Sequence, residues 1–388
     1  LPSPPCGGEG KYGWAFGIIS ILLVCLISTA HADQEEKGFL ETIKHHVTLS
    51  SMVTPNGDQN PYALVVAPVS AGTIKQNDVL IDNFNDISNL QGLGTTIVDY
   101  HPDTKETTLF AQLDRHLPGC PGGVGLSTAM TMLKSGYVIV GSTPSNDGTT
   151  STKGNGCLMV LDSNGKLVKT IADANINGPW GNMAVADNGA SATLFISMAG
   201  FGVTDPNQID PATEKPVVVN KATVLRLELA IPAGQPPAVK SETVIASGFA
   251  QRADKDVFMI GPTGLALGKD GTLYVSDALT NRIVAIPDAL TRKDSAGHGR
   301  EVTKEGLLQR PLAMCWTPND HLLITNGLNG QVVEVDPANG KQLYAQWVDA
   351  NKAQTPPGNG DLFGIAMAPD GTSFYYVEDE VNALVLAK

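Results

Sequence analysis

Strand-length apolar runs recur along this chain, each interrupted by Gly, Pro, Asn or Asp before the next begins. The clearest stretch reads Gly261-Pro262-Thr263-Gly264-Leu265-Ala266-Leu267, then Lys269-Asp270-Gly271, then Thr272-Leu273-Tyr274-Val275-Ser276-Asp277, then Asn281-Arg282-Ile283-Val284-Ala285-Ile286. Each apolar run has the length of a β-strand, and the Asp-Gly pair supplies the tight turn between two of them. The same order of parts returns downstream. Arg310-Pro311-Leu312-Ala313 leads to Pro318-Asn319-Asp320, His321–Asn326 and Gln331–Val335, and Asp361–Ala366 leads to Pro369-Asp370-Gly371, Phe374–Val377 and Ala383–Leu386.

Weaker copies lie upstream, and a search for a repeated unit is the first test of such a pattern. Gly178-Pro179-Trp180-Gly181-Asn182-Met183 opens one, with Asp187-Asn188-Gly189 as its first turn. Gly123-Val124-Gly125 opens another, and Asn60-Pro61-Tyr62-Ala63-Leu64-Val65 the earliest. The segment from Gly261 to Ile286 closely resembles an NHL repeat: Pro-x-Gly opening, Asp-Gly turn, Tyr-Val-x-Asp strand end and Asn-x-Arg-Ile return. The resemblance implies an all-β, six-bladed β-propeller covering nearly all of the chain after its N-terminal segment. The last unit has only three strands before Lys388, while the strand His46-Val47-Thr48-Leu49-Ser50 is left over at the other end. The N-terminal strand is therefore expected to close the last blade, protecting a sheet edge that would otherwise stay unpaired.

Forty-one Gly and twenty-five Pro without a collagen-like period agree with many turns between short strands. Residues 1–32 read as a signal peptide: Lys11 gives a thin positive region, Trp14 to Ile27 an apolar stretch, and Ala30-His31-Ala32 a small-x-small cleavage pattern. The propeller domain would then span 33–388, exported to the periplasm or the extracellular space. Glu9 and Lys11 cancel, so the mature chain keeps the formal charge of −13. That charge argues against nucleic acid and anionic lipid as partners, since both bind clustered Lys and Arg, and no stable membrane insertion is expected once the segment is removed.

Processing leaves Cys120, Cys157 and Cys315. In the blade topology Cys120 lies in the loop opening a blade and Cys157 follows that blade's long loop, so both fall on one face and a Cys120–Cys157 disulfide is expected. Cys315 lies within the apolar Leu312-Ala313-Met314-Cys315-Trp316 and is expected to be a buried thiol without a partnering His.

In a four-stranded blade, the loops that open each blade and the loops between second and third strands share one face, here called the entrance face. The long insertions Asn83 to Gly94, Ser142 to Gly156 and Ala199 to Lys221 all belong to it, and long loops on a rigid scaffold commonly carry binding function. Ligand-binding candidates at the channel mouth are Asn60, Tyr62, Trp180, Asn182, Thr263, Arg310, Asp361 and Phe363, aromatic walls with a few polar contacts. The alternative, that they satisfy loop backbones and fill the ring centre, stays open, as does an Arg310–Asp361 ion pair.

The wider resemblance is to gluconolactonase-like and paraoxonase-like propellers, which implies a divalent cation, calcium or zinc, held at this mouth by Glu, Asp and Asn. Asn182 and Asp361 are the counterparts here, although no acidic residue stands at the early blade openings. Asp162-Ser163-Asn164-Gly165, Asp270-Gly271 and Asp370-Gly371 lack the alternating carboxylates and closing Glu of a calcium loop and read as hairpin turns. Asp277 and Asn281 are expected to pin the adjacent loop by side-chain to backbone hydrogen bonds. No Ser-His-Asp motif, phosphate-binding glycine loop or paired metal-binding His spacing occurs. The residues thus point to an exported propeller binding an unknown small molecule or protein through its entrance-face loops. A divalent-metal hydrolase of lactonase or esterase type is the alternative, and a lyase acting on a cyclic ester the third reading.

Overall fold

Six antiparallel sheets follow one another along the chain in a computed structural model that describes residues 38–349 and 351–388. The signal-peptide expectation for residues 1–32 lies outside the described residues. Blade 1 consists of Gln59–Val66, Val79–Asn85, Thr96–His101 and Glu106–Gln112, and blade 2 of Leu126–Met132, Val138–Ser142, Cys157–Leu161 and Leu167–Ile171. Blade 3 contains Pro179–Asp187, Ser191–Met198, Val219–Ala230 and Ala238–Ala253, extended by the short strand Met259–Ile260. Blade 4 is Pro262–Leu267, Leu273–Asp277, Arg282–Ile286 and Arg300–Lys304. Blade 5 is Pro311–Trp316, Leu322–Asn326, Gln331–Asp336 and Lys341–Trp347.

Blade 6 takes three strands from the C-terminal end, Leu362–Met367, Phe374–Glu378 and Ala383–Ala387, and its fourth is His46–Ser51. That strand runs antiparallel to Ala383–Ala387, with His46 opposite Ala387 and Ser51 opposite Ala383. Lys44 and His45 add backbone N–H bonds to the Lys388 carbonyl at 2.9 and 2.8 Å. Closure in this way leaves no open edge on the last sheet, which is the physical reason the leftover strand belongs there.

The turns follow from local chemistry. At Asp270-Gly271, Asp270 Oδ1 accepts the Thr272 N–H at 3.0 Å while Gly271 takes φ +82°, a conformation that costs a glycine nothing. The second strands of blades 1, 2, 5 and 6 are buried throughout, whereas outer strands such as Glu106–Gln112 are largely exposed.

The innermost strand of every blade carries a break in register, for example between Pro61 and Leu64, Pro262 and Leu265, and Leu362 and Ile365. Such bulges turn the strand inward and free backbone groups from the ladder. Hydroxyls on neighbouring strands take them up and tie blade to blade. Ser276 Oγ accepts the Gly264 N–H at 2.7 Å and donates to the Leu312 carbonyl of blade 5 at 2.6 Å, and Thr325 Oγ1 donates to the Phe363 carbonyl of blade 6 at 2.8 Å. Gly181 is required at the blade 3–4 seam, where a Cβ would fall 1.7 Å from the Thr263 carbonyl oxygen.

Candidate functional site

Antiparallel pairing places the end of each second strand beside the start of the first, as in Pro61 opposite Asn83 and Leu126 opposite Ser142. The loops after Asn85, Ser142 and Met198 therefore all rise on the entrance face. The third loop carries its own small hairpin, Ile209–Asp210 paired with Lys215–Pro216. Cys120 and Cys157 are joined there, with Cα atoms 5.1 Å apart. Cys315 is free; the residue is half-buried, and desolvation pushes its thiol up to about 12, which makes it a poor nucleophile.

The entrance-side mouth of the ring is filled by aromatic side chains. Tyr62 lies 3.9 Å from Phe363 and 4.6 Å from Phe84 between ring centroids, and meets Trp180 edge-on at 5.7 Å. Phe258 stacks on Trp180 at 6.3 Å and packs edge-on against Phe84 at 5.5 Å. The cavity left between this cluster, Thr263 and Arg310 measures about 20 Å³, room for no more than a water molecule. Burial raises the Tyr62 hydroxyl well above its ordinary value, so the ring stays neutral. Trp180 and Phe363, two of the predicted contacts, thus spend much of their surface on one another's neighbourhood and seal the centre. Phe84 and Phe258 are the members that sequence patterning did not single out. Phe258 comes from the turn between the last two strands of blade 3 and sits at φ +63°, which no strand periodicity foretells.

Asn182 is held by backbone groups of two neighbouring blades. Its Nδ2 donates to the Leu265 carbonyl at 2.9 Å and the Met314 carbonyl at 3.2 Å, and its Oδ1 accepts the Met314 N–H at 3.1 Å. The amide is a strap across blades 3, 4 and 5 with its oxygen already engaged. Thr263 Oγ1 likewise turns back to the Gly261 carbonyl at 2.9 Å. Arg310 makes no ion pair with Asp361, nor with any other carboxylate among the described residues. Its backbone N–H is held by Asn281 Oδ1 at 2.7 Å, the loop-pinning bond expected of Asn281. Asp277 instead grips the Arg282 guanidinium, at 2.9 Å from Nε and 2.8 Å from one terminal nitrogen, so its role is an ion pair and not a backbone bond.

Beside the sealed centre a polar pocket of about 190 Å³ opens between blades 6 and 1. Four predicted residues meet in it: Asn60, Tyr62, Asp361 and Phe363. Asn85 and Gln91 from the first long loop, Asn359 before blade 6 and Asp379 after its second strand complete the polar wall. Asn60 sits at φ +62°, its N–H bonded at 2.6 Å to Asn382 Oδ1 on the closing side of blade 6. Four residues lining this pocket carry a buried oxygen without a hydrogen-bond partner: Asn60 Oδ1, Asn85 Oδ1, Gln91 Oε1 and Asp361 Oδ2. Buried acceptors are ordinarily satisfied, so a concentration of orphans around one cavity calls for donors from outside the chain. Burial, with Asp361 and Glu380 adding to it, lifts Asp379 to about 7.

Among the described residues, two groupings of acidic and histidine side chains have the spacing to hold a metal. Asp349, Asp361, Glu378 and Glu380 converge on the entrance face, and Asp78, Asp99 and His101 lie at the far end of blade 1, where His101 Nδ1 is 2.8 Å from Asp78 Oδ2. The opposite face carries a more open groove of about 550 Å³ walled by Tyr274, Trp316 and Met367.

No protein-family model matches this sequence, and no curated protein matches it. Solved structures do match in shape. A gluconolactonase from Xanthomonas campestris superposes with TM-score 0.51 at 14% identity, over 88% of each chain. A luciferin-regenerating enzyme gives 0.53 at 12% identity, over 89% of this chain and 95% of the other. The calcium-binding protein regucalcin from Agrobacterium tumefaciens gives 0.50 at 14% identity, over 89% and 93%. The fold is that of the gluconolactonase-like propellers. At these identities the likeness is one of scaffold, because function resides in side chains grafted on a fold. Among the described residues, no helix is long and apolar enough to cross a membrane.

Proposed function

We propose that this chain is an exported NHL-like propeller that acts as a ligand-binding scaffold, its entrance-face loops receiving a small, donor-rich molecule in the pocket between blades 6 and 1. The carrying observation is the ring of unpartnered oxygens on Asn60, Asn85, Gln91 and Asp361 around a space of about 190 Å³. A polyhydroxylated molecule of monosaccharide size, or a small amine, would supply the missing donors, and the Tyr62 and Phe363 rings would give it an apolar surface. Export is supported by the charge and hydropathy pattern of residues 1–32. A thermal-shift panel of sugars, sugar lactones and amines on the mature chain tests the reading. A hit whose shift disappears in Asn60→Leu and Asn85→Leu supports it, and a hit unaffected by both variants places binding elsewhere.

The second reading is a divalent-metal hydrolase of lactonase type. It is favoured by one adjacency: Asp361 belongs both to this pocket and to the carboxylate grouping beside it. A cation held there would polarise a carbonyl. The chain's own part would be to seat the ring against Tyr62 and Phe363 and to offer the Asp379 carboxylate to a water. Hydrolysis of a lactone that Asp379→Asn abolishes without loss of binding would favour the enzyme over the scaffold.

A further inference from the structure

We propose that Asp349, Asp361, Glu378 and Glu380 form a calcium site on the entrance face, off the ring axis, which staples the crossing from blade 5 into blade 6.

The four carboxylates come from three separate stretches. Asp349 follows the outer strand of blade 5, Asp361 precedes the first strand of blade 6, and Glu378 and Glu380 end its second strand and begin the loop beyond. One oxygen from each lies within 4.8 Å of all the others. Oxygen atoms on a sphere of calcium–oxygen radius, about 2.3–2.6 Å, are at most about twice that far apart, so the spacing fits one shared ion. No Lys, Arg or His forms an ion pair with any of the four among the described residues. Four like charges gathered without a counter-charge repel one another strongly in a partly buried setting.

A separate observation points to a ligand. Asp361 is only 4% exposed, its Oδ1 accepts the Gln354 amide at 2.8 Å, and its Oδ2 is buried without a partner. Asp349 Oδ2 is also buried without a partner. An orphaned carboxylate oxygen in the interior is costly unless something positive meets it. All four side chains offer oxygen and none offers nitrogen or sulfur. A hard cation is therefore preferred over zinc, and the irregular arrangement suits calcium, which tolerates flexible coordination, over magnesium, which demands an octahedron.

The ion would hold together a connection that otherwise depends on a loop. Residues 349–361 join the two blades, and Asn359, Gly360 and Asp361 at its end form one wall of the polar pocket. Calcium binding would order that wall. The site shares Asp361 with the pocket, and it is tested with the metal alone.

Isothermal titration and thermal melting of chelator-treated mature chain, with calcium, magnesium or zinc chloride and no organic ligand, test the proposal. The expected result is one calcium per chain, a melting temperature raised by calcium and less by magnesium, and at least tenfold weaker calcium binding in Asp361→Asn. Glu380 is exposed, so Glu380→Gln keeps the test open if Asp361→Asn fails to fold, and it too should weaken binding at least tenfold. Asp270→Asn, which changes a turn carboxylate of blade 4 outside the four, should keep calcium affinity within about twofold. No heat and no shift at millimolar calcium, tighter binding of zinc than calcium, or unchanged affinity in Glu380→Gln would overturn it. Because no organic ligand is used, any of these failures leaves the pocket reading standing.

Discussion

The backbone N–H of Leu40 donates to Oε2 of the fully buried Glu334 at 2.9 Å, linking the N-terminal segment to the third strand of blade 5. The other carboxylate oxygen accepts the Phe39 N–H at 2.8 Å and faces His321 Nδ1 at 2.7 Å. One acidic side chain thus fastens the segment that goes on to supply the outer strand of blade 6. Ring closure rests on two anchors, this one and the pairing of His46–Ser51 with Ala383–Ala387.

Replacing Glu334 by Ala strands two backbone donors and a histidine in the interior, at a cost of about 1–3 kcal/mol for each unmet group. Glu334→Ala should lose about 3–5 kcal/mol in urea unfolding, and removal of residues through Ser51 should lower the melting temperature further by exposing the edge of Ala383–Ala387. A truncated chain that melts like the mature protein would contradict this account of closure.

The disulfide ties the loop opening blade 2 to the start of its third strand, closing a loop with a sequence separation of 37. A typical contribution is about 2–4 kcal/mol. Alkylation of residues 33–388 under denaturing, non-reducing conditions should mark one thiol, at Cys315, and peptide mapping should link Cys120 to Cys157. In the native state Cys315 should react slowly even at pH 9, since its thiol is pushed up to about 12. Three alkylated thiols would reject the arrangement.

Asp82 provides a pH test away from the pocket. It lies in blade 1 at the place matching Ser276 in blade 4 and Thr325 in blade 5, between the register-matched pairs of its inner ladder. Its Oδ1 accepts the Ala63 N–H at 2.8 Å, its Oδ2 is buried without a partner, and burial lifts the carboxyl to about 8. The folded chain therefore keeps a proton that the unfolded chain releases near pH 4. The sign follows: the stabilisation is complete below about pH 4 and is lost as pH rises toward about 8. Asp82→Asn should melt above wild type at pH 8 by an amount on the order of a few kcal/mol, the difference shrinking at pH 5. A gap that is independent of pH would show that Asp82 does not titrate in this range.

Trp180 is 3% exposed and touches Tyr62, Phe84 and Phe258 in the plug. Trp180→Ala should cost about 3–5 kcal/mol and enlarge the central cavity, because five rings packed at the seam of several blades cannot close over so large a deletion. A near-neutral urea midpoint would mean that the ring centre repacks freely.

Local patterns are legible wherever a few neighbouring residues decide the outcome. Asp-Gly and Asn-Gly turns, strand-length apolar runs and their order give the six blades, because turn chemistry and the two-residue strand period act over short distances. The closing role of His46–Ser51 follows from counting strands, and the Cys120–Cys157 bridge from which face each loop occupies. Even the set of residues at the blade openings could be named.

What those residues do there was decided only by the tertiary structure. Asn182 and Asp361 stand at equivalent openings, yet one is a strap between carbonyls and the other a buried carboxylate beside three more. Asn60 and Asp361, some three hundred positions apart in the chain, come to share one pocket because ring closure sets blade 6 against blade 1. Phe258 enters the plug, and Glu378 and Glu380 join Asp349, through loop paths that carry no period. A strand's register is written in its own alternation of side chains, whereas convergence of loop side chains depends on how separate blades pack, and that is a property of the closed ring alone.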